Sequence, residues 1–121
     1  MRGVFSLDEP SGPRWELALD LLRRGEPFFL GGVTFRRTSE DAIEASVAST
    51  WQLRNVTEAR ARDDIETAHT RTEALLADHP AFRSAVGPSK IEYVLVDDYE
   101  IGAVAICRLV DDDIEWLIDR E

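Results

Sequence analysis

Three runs rich in β-branched and aliphatic residues close this chain: Ile91 to Val96, Ile101 to Val110 and Ile114 to Ile118. Short acidic breaks, Asp97-Asp98-Tyr99-Glu100 and Asp111-Asp112-Asp113, part them. Strand-length apolar runs with turn residues between them predict an antiparallel meander, which commits the last quarter of the molecule to a sheet. The middle run is apolar on both faces, with Ile101, Ala103, Ala105, Cys107 and Leu109 on one side and Val104, Ile106 and Val110 on the other. It is expected to be a central strand, or to be covered by a partner subunit, a second copy of the chain included.

The elements before the meander follow from their punctuation. Val4 to Leu7 reads as a short strand, and Asp8-Glu9-Pro10-Ser11-Gly12-Pro13 as a turn. Trp15, Leu17, Ala18, Leu21 and Leu22 give an apolar stripe at helical spacing, with Pro13 in the first turn and Gly25 as the stop. Phe28 to Arg36 is strand-like, and its glycine pair Gly31-Gly32 suggests a bend or bulge. Residues 42–53 fit two periods. Ile43, Val47 and Trp51 stand four apart, yet Ile43, Ala45, Val47, Ser49, Trp51 and Leu53 alternate with mostly polar neighbours. The longer alternation favours a strand, closed back on its predecessor through Ser39-Glu40-Asp41. A helix then starts near Asn55, the expected N-cap, with Glu58 at the capping-box position, and runs to about Asp78. Its narrow apolar line is Ala61, Ile65, Ala68, Thr72, Leu75 and Leu76. Its charges suggest a solvated face laced by Glu58–Arg62, Arg62–Glu66 and Arg60–Asp64 pairs. His79-Pro80 ends the helix, and Ala81 to Val86 suggests one further turn before Gly87-Pro88.

The resulting order is β-α-β-β-α-β-β-β, an α+β class with an antiparallel sheet of five to six strands and two main helices packed on it. The first six elements match the βαββαβ order of a ferredoxin-like core. A curved sheet wrapped around a helix is the other arrangement these elements allow. The 121 residues are expected to form one domain, since no linker divides them. No apolar run of signal-peptide or membrane-span length is present, which predicts a cytoplasmic protein.

Charge carries most of the functional information. Residues 1–90 hold 14 acids and 12 bases, whereas residues 91–121 hold 10 acids and only Arg108 and Arg120. Eight of the ten net negative charges therefore sit in the last quarter. Such a field repels nucleic acid and anionic membrane and attracts basic protein surfaces or cations. Asp97, Asp98, Tyr99 and Glu100, with Asp111, Asp112, Asp113 and Glu115, are accordingly the expected contacts for a basic partner. The two groups lie at opposite ends of one strand and lack the spacing of a calcium loop, so a shared metal site is not expected.

Catalytic patterns are missing around the candidate nucleophiles and bases. Cys107, the sole cysteine, sits in an apolar run, and Arg108 points to the opposite strand face. His69 and His79 are ten residues apart, about 15 Å along a helix, too far to share a metal. Gly31-Gly32 precedes a strand and not a helix, so it is not a phosphate-binding loop. Trp15, Trp51 and Trp116 fall on apolar faces and are expected in the core. These features predict a non-enzymatic, cofactor-free binding module of the inhibitor or immunity-protein kind, with a dimer open as its state. The alternative is a small-molecule or catalytic domain whose sheet face forms a pocket lined by Trp51, Tyr93, Cys107 and Trp116.

Overall fold

A computed structural model describes residues 4–97 and 103–118. The class is α+β, with three helices on a seven-stranded mixed sheet. The strands are β1 (Phe5–Leu7), β2 (Phe28–Leu30), β3 (Val33–Ser39), β4 (Ala42–Ala48), β5 (Lys90–Val96), β6 (Ala105–Val110) and β7 (Asp113–Trp116). The helices are α1 (Gly12–Arg23), α2 (Glu58–Asp78) and α3 (Pro80–Val86). Strand order in space is the order in the chain, β1 through β7.

Three expectations change. The sheet is not wholly antiparallel, because β1 pairs with β2, and β4 with β5, in parallel. Each of those pairs is joined through a helix, and a helical crossover returns the chain in the direction it came. The run from Phe28 to Arg36 is two strands, because Gly31 and Gly32 hold φ of 62° and 86° and turn the chain back so that Leu30 faces Val33. Two positive φ values in a two-residue loop define a type I′ hairpin, where a bend in one strand had been expected. Sequential strand order also rules out the ferredoxin-like arrangement, a split β-α-β in which strands joined through a helix are parted by another strand, whereas here β1–β2 and β4–β5 pair directly. The strands instead form two tandem β-α-β-β units, β1-α1-β2-β3 and β4-α2/α3-β5-β6, with β7 appended.

Both crossovers travel the same way across the sheet, so with the same hand they cover the same face. Register agrees: Phe28, Phe35, Ala45 and Tyr93 face one another across four strands, and the helices pack on that row. Phe82 of α3 meets Phe35 edge-on at 5.4 Å and stacks on Trp15 of α1 at 5.9 Å, while Trp15 meets Phe28 at 6.3 Å. These rings tie α1 and α3 to β2 and β3. Leu19 occupies the core where Leu17 had been expected, and Leu17 is exposed.

Arg37 locks the second crossover to the β3–β4 turn. Its guanidinium donates to the carbonyls of Glu40 and Ala85 and to Ser89 Oγ, at 3.0, 3.0 and 2.8 Å. The strand alternative for residues 42–53 holds for Ala42–Ala48, and Leu53–Asn55 forms a single 3-10 turn. The N-cap of α2 is Thr57, whose hydroxyl accepts from the Arg60 amide, and not Asn55. β6 begins at Ala105 and has β5 and β7 on its two edges, so its described part offers no open edge to a second copy. No helix among the described residues is long and apolar enough to cross a membrane.

Candidate functional site

The two acidic groups of the C-terminal segment have different surroundings. Asp97 follows β5: its amide donates to the Val104 carbonyl at 3.0 Å and its carboxylate accepts from the Val104 amide at 2.8 Å. Asp98, Tyr99 and Glu100 lie outside the described residues. Asp111 and Asp112 are the two central residues of the β6–β7 hairpin, with φ of 49° and 71° and Val110 facing Asp113. Short polar side chains tolerate this left-handed conformation better than most. Glu115 faces Arg108 on the neighbouring strand and pairs with it at 2.7 Å.

The hairpin does not stand alone. Arg62 of α2 donates to the Asp112 carbonyl at 2.7 Å and lies 3.8 Å from the Asp113 carboxylate, while its Nε bonds Glu58 at 3.3 Å. Helix and hairpin, 50 residues apart in the chain, thus share one surface. The other arginines of α2 behave likewise. Arg60 donates to the Asn55 carbonyl at 2.8 Å and lies 3.7 Å over the Trp51 ring, and Arg71 donates to the Gly31 carbonyl. Each of the three guanidiniums of the helix donates to a loop carbonyl, and Arg62 alone also pairs with carboxylates. The expected Arg60–Asp64 pair is replaced, since Asp64 accepts from the Thr50 amide and hydroxyl at 3.2 and 3.1 Å.

The solvent side of α2 carries most of its carboxylates. Ala61, Ile65, Ala68 and Thr72 are its buried side, and Glu58, Asp63, Glu66, Glu73 and Asp78 are exposed. Together with Asp111, Asp112 and Asp113 they make a carboxylate surface carried by one helix and one hairpin. The sequence signal was present in the charges of residues 58–78, but i,i+4 pairing made them look self-neutralised.

The pocket-lining expectations scatter. Cys107 is fully buried and Tyr93 is 7% exposed, both in the core cluster. The Tyr93 ring meets His69 edge-on at 5.1 Å. Burial pushes its phenol up to about 12, against the opposing effect of a hydrogen bond with Thr72. Trp116 is half-buried against the core, and Trp51 is exposed under Arg60, outside the core where it had been expected. Trp51 therefore lines no pocket with Tyr93 and Cys107. His79 packs edge-on against Trp15 at 5.9 Å. No group of three or more His, Cys, Asp or Glu side chains is placed to hold a metal among the described residues. No protein-family model, curated protein or solved structure matches the chain.

Proposed function

We propose that the chain is a non-enzymatic binding module whose acidic surface docks on a basic protein, in the manner of an inhibitor that covers a cationic site. One observation carries this reading: Arg60 and Arg71 are turned onto backbone carbonyls and only Arg62 pairs with carboxylates, Glu58 and Asp113, so that Asp63, Glu66, Asp111 and Asp112 face solvent without an arginine partner from α2. A field of one sign steers an oppositely charged partner and fixes its register. The alternative of a small-molecule pocket on the sheet face has less behind it, because Tyr93 and Cys107 are packed into the core.

The test is binding to a panel of basic, neutral and acidic proteins of matched size, measured at several salt concentrations. Basic proteins are expected to bind, with association slowed on the order of tenfold between low and high salt. The triple variant Asp63→Asn, Glu66→Gln, Asp112→Asn is expected to lose that binding while keeping its fold. Binding confined to neutral or acidic proteins, or a triple variant that binds as the wild type does, refutes the proposal.

A further inference from the structure

At the end of α2 far from the hairpin, the β1–α1 loop, the β2–β3 turn and the last helical turns enclose an open cleft of about 340 Å³. Pro10, Leu30, Ala74 and Leu75 line it together with the carboxylates of Asp8 and Asp78 and with Arg71 and His79. Among the described residues, neither carboxylate makes a hydrogen bond or ion pair. Asp78 is the last residue of α2, where the helix carbonyls concentrate negative potential and where the helix has no basic residue of its own. Arg83 reaches back to the Leu76 carbonyl at 2.8 Å and leaves the Asp78 carboxylate alone. Arg71, the one guanidinium on the cleft, is turned onto the Gly31 carbonyl. Gly32 makes room for it, since a Cβ there would lie 2.5 Å from Arg71 Nη1.

We infer that this cleft is the anchor of the basic partner, receiving one arginine or lysine side chain with its stem on the apolar lining and its head against Asp8 and Asp78. The inference rests on the docking reading above. An apolar lining with two carboxylates beside it matches a side chain that buries its stem and keeps its head in polar surroundings. The volume lies at the low end of the roughly 300–1,000 Å³ typical of ligand pockets, which suits a side chain better than a cofactor. The 21 residues of α2 span about 30 Å, so a partner with an ordinary footprint of roughly 800 Å² reaches from the hairpin to the cleft.

The probe is butylguanidinium, compared with methylguanidinium, which lacks the stem, and butyrate, which reverses the charge. Each is titrated into the whole chain while backbone amide NMR shifts are followed. Butylguanidinium is expected to shift Gly31, Ala74 and Leu75 saturably and to bind about tenfold tighter than methylguanidinium, as partial burial of three methylenes implies. Ala74→Leu, at an exposed helical position, fills the cleft and is expected to abolish those shifts. Asp8→Asn with Asp78→Asn is expected to weaken binding about fivefold. Butyrate binding as well as butylguanidinium, or shifts indifferent to Ala74→Leu, overturns the inference. A basic protein that binds the wild type and Ala74→Leu equally, yet fails against the triple variant of α2 and hairpin, removes the anchor and leaves the docking surface standing. Basic proteins that bind neither form remove both.

Discussion

Asp112→Gly should make the protein more stable and a poorer ligand for basic proteins. Asp112 holds φ of 71° in the two-residue β6–β7 turn, a conformation that costs an L-residue about 1–2 kcal/mol and an aspartate somewhat less. Glycine removes that strain, and its larger unfolded-state entropy offsets roughly 0.5 kcal/mol of the gain. Taking one charge from between Asp111 and Asp113 relieves a few tenths of a kcal/mol more, on the order expected for exposed charges in water. The Arg62 bond is to the Asp112 backbone carbonyl, so it survives the substitution. The net expectation is a stabilisation of about 0.5–1 kcal/mol, seen in urea as a midpoint raised by roughly 0.3–0.5 M at unchanged slope. Asp112→Ala is the control, because it removes the same charge but keeps a Cβ at positive φ, and its stability should fall below that of Asp112→Gly by about 1 kcal/mol, with a correspondingly lower midpoint. A lowered midpoint for Asp112→Gly, or equal midpoints for the glycine and alanine variants, would falsify the account of the turn.

Two further changes test the interior. With its ordinary value at 10.0 and its folded value near 12, Tyr93 contributes stability that is whole below pH 10 and is lost as pH rises through 12. By pH 11 the loss is about 1.4 kcal/mol, so urea titrations at pH 9 and pH 11 should show a slope with pH that Tyr93→Phe flattens; identical pH dependence in the two proteins would contradict it. Arg37→Met keeps the aliphatic stem but removes donors to Glu40, Ala85 and Ser89, and should cost about 2–3 kcal/mol. An unchanged midpoint would mean that water replaces this clamp.

The legible parts of the fold were those set by local period. Both long helices, the short turn at Pro80–Val86 and the meander strands follow from spacing and punctuation, and each lies within a few residues of its expected place. Parallel pairing was not legible, because β1 and β2 meet only through α1, and nothing in Phe5-Ser6-Leu7 encodes which edge it joins. Gly31-Gly32 was ambiguous for a related reason: glycine permits either a bulge or a hairpin, and the choice depends on Val33 finding Leu30. Trp51 misled because alternation continued past the last paired residue, Ala48, into a loop where the ring lies beneath a guanidinium. At the candidate site the hairpin carboxylates were readable, and those of α2 were discounted. Their lack of arginine partners shows only in the structure, where Arg60 and Arg71 reach outward to Asn55 and Gly31 and not along the helix to a carboxylate.

A sheet whose spatial order repeats its chain order grows only at its margin. Each strand, once made, lays itself against the strand just before it, so assembly from the N-terminus never has to insert a latecomer between two established neighbours. The β-α-β-β unit could be appended again without disturbing what precedes it, and the second unit stands to the first in that relation. Among the described residues the outermost strands are meagre: β1 has three residues and β7 four, the latter bearing Asp113 and Glu115. Short, charged margins discourage a stranger's strand from continuing the ladder. The same carboxylates that would greet a cationic protein therefore also keep the sheet from adding copies of itself.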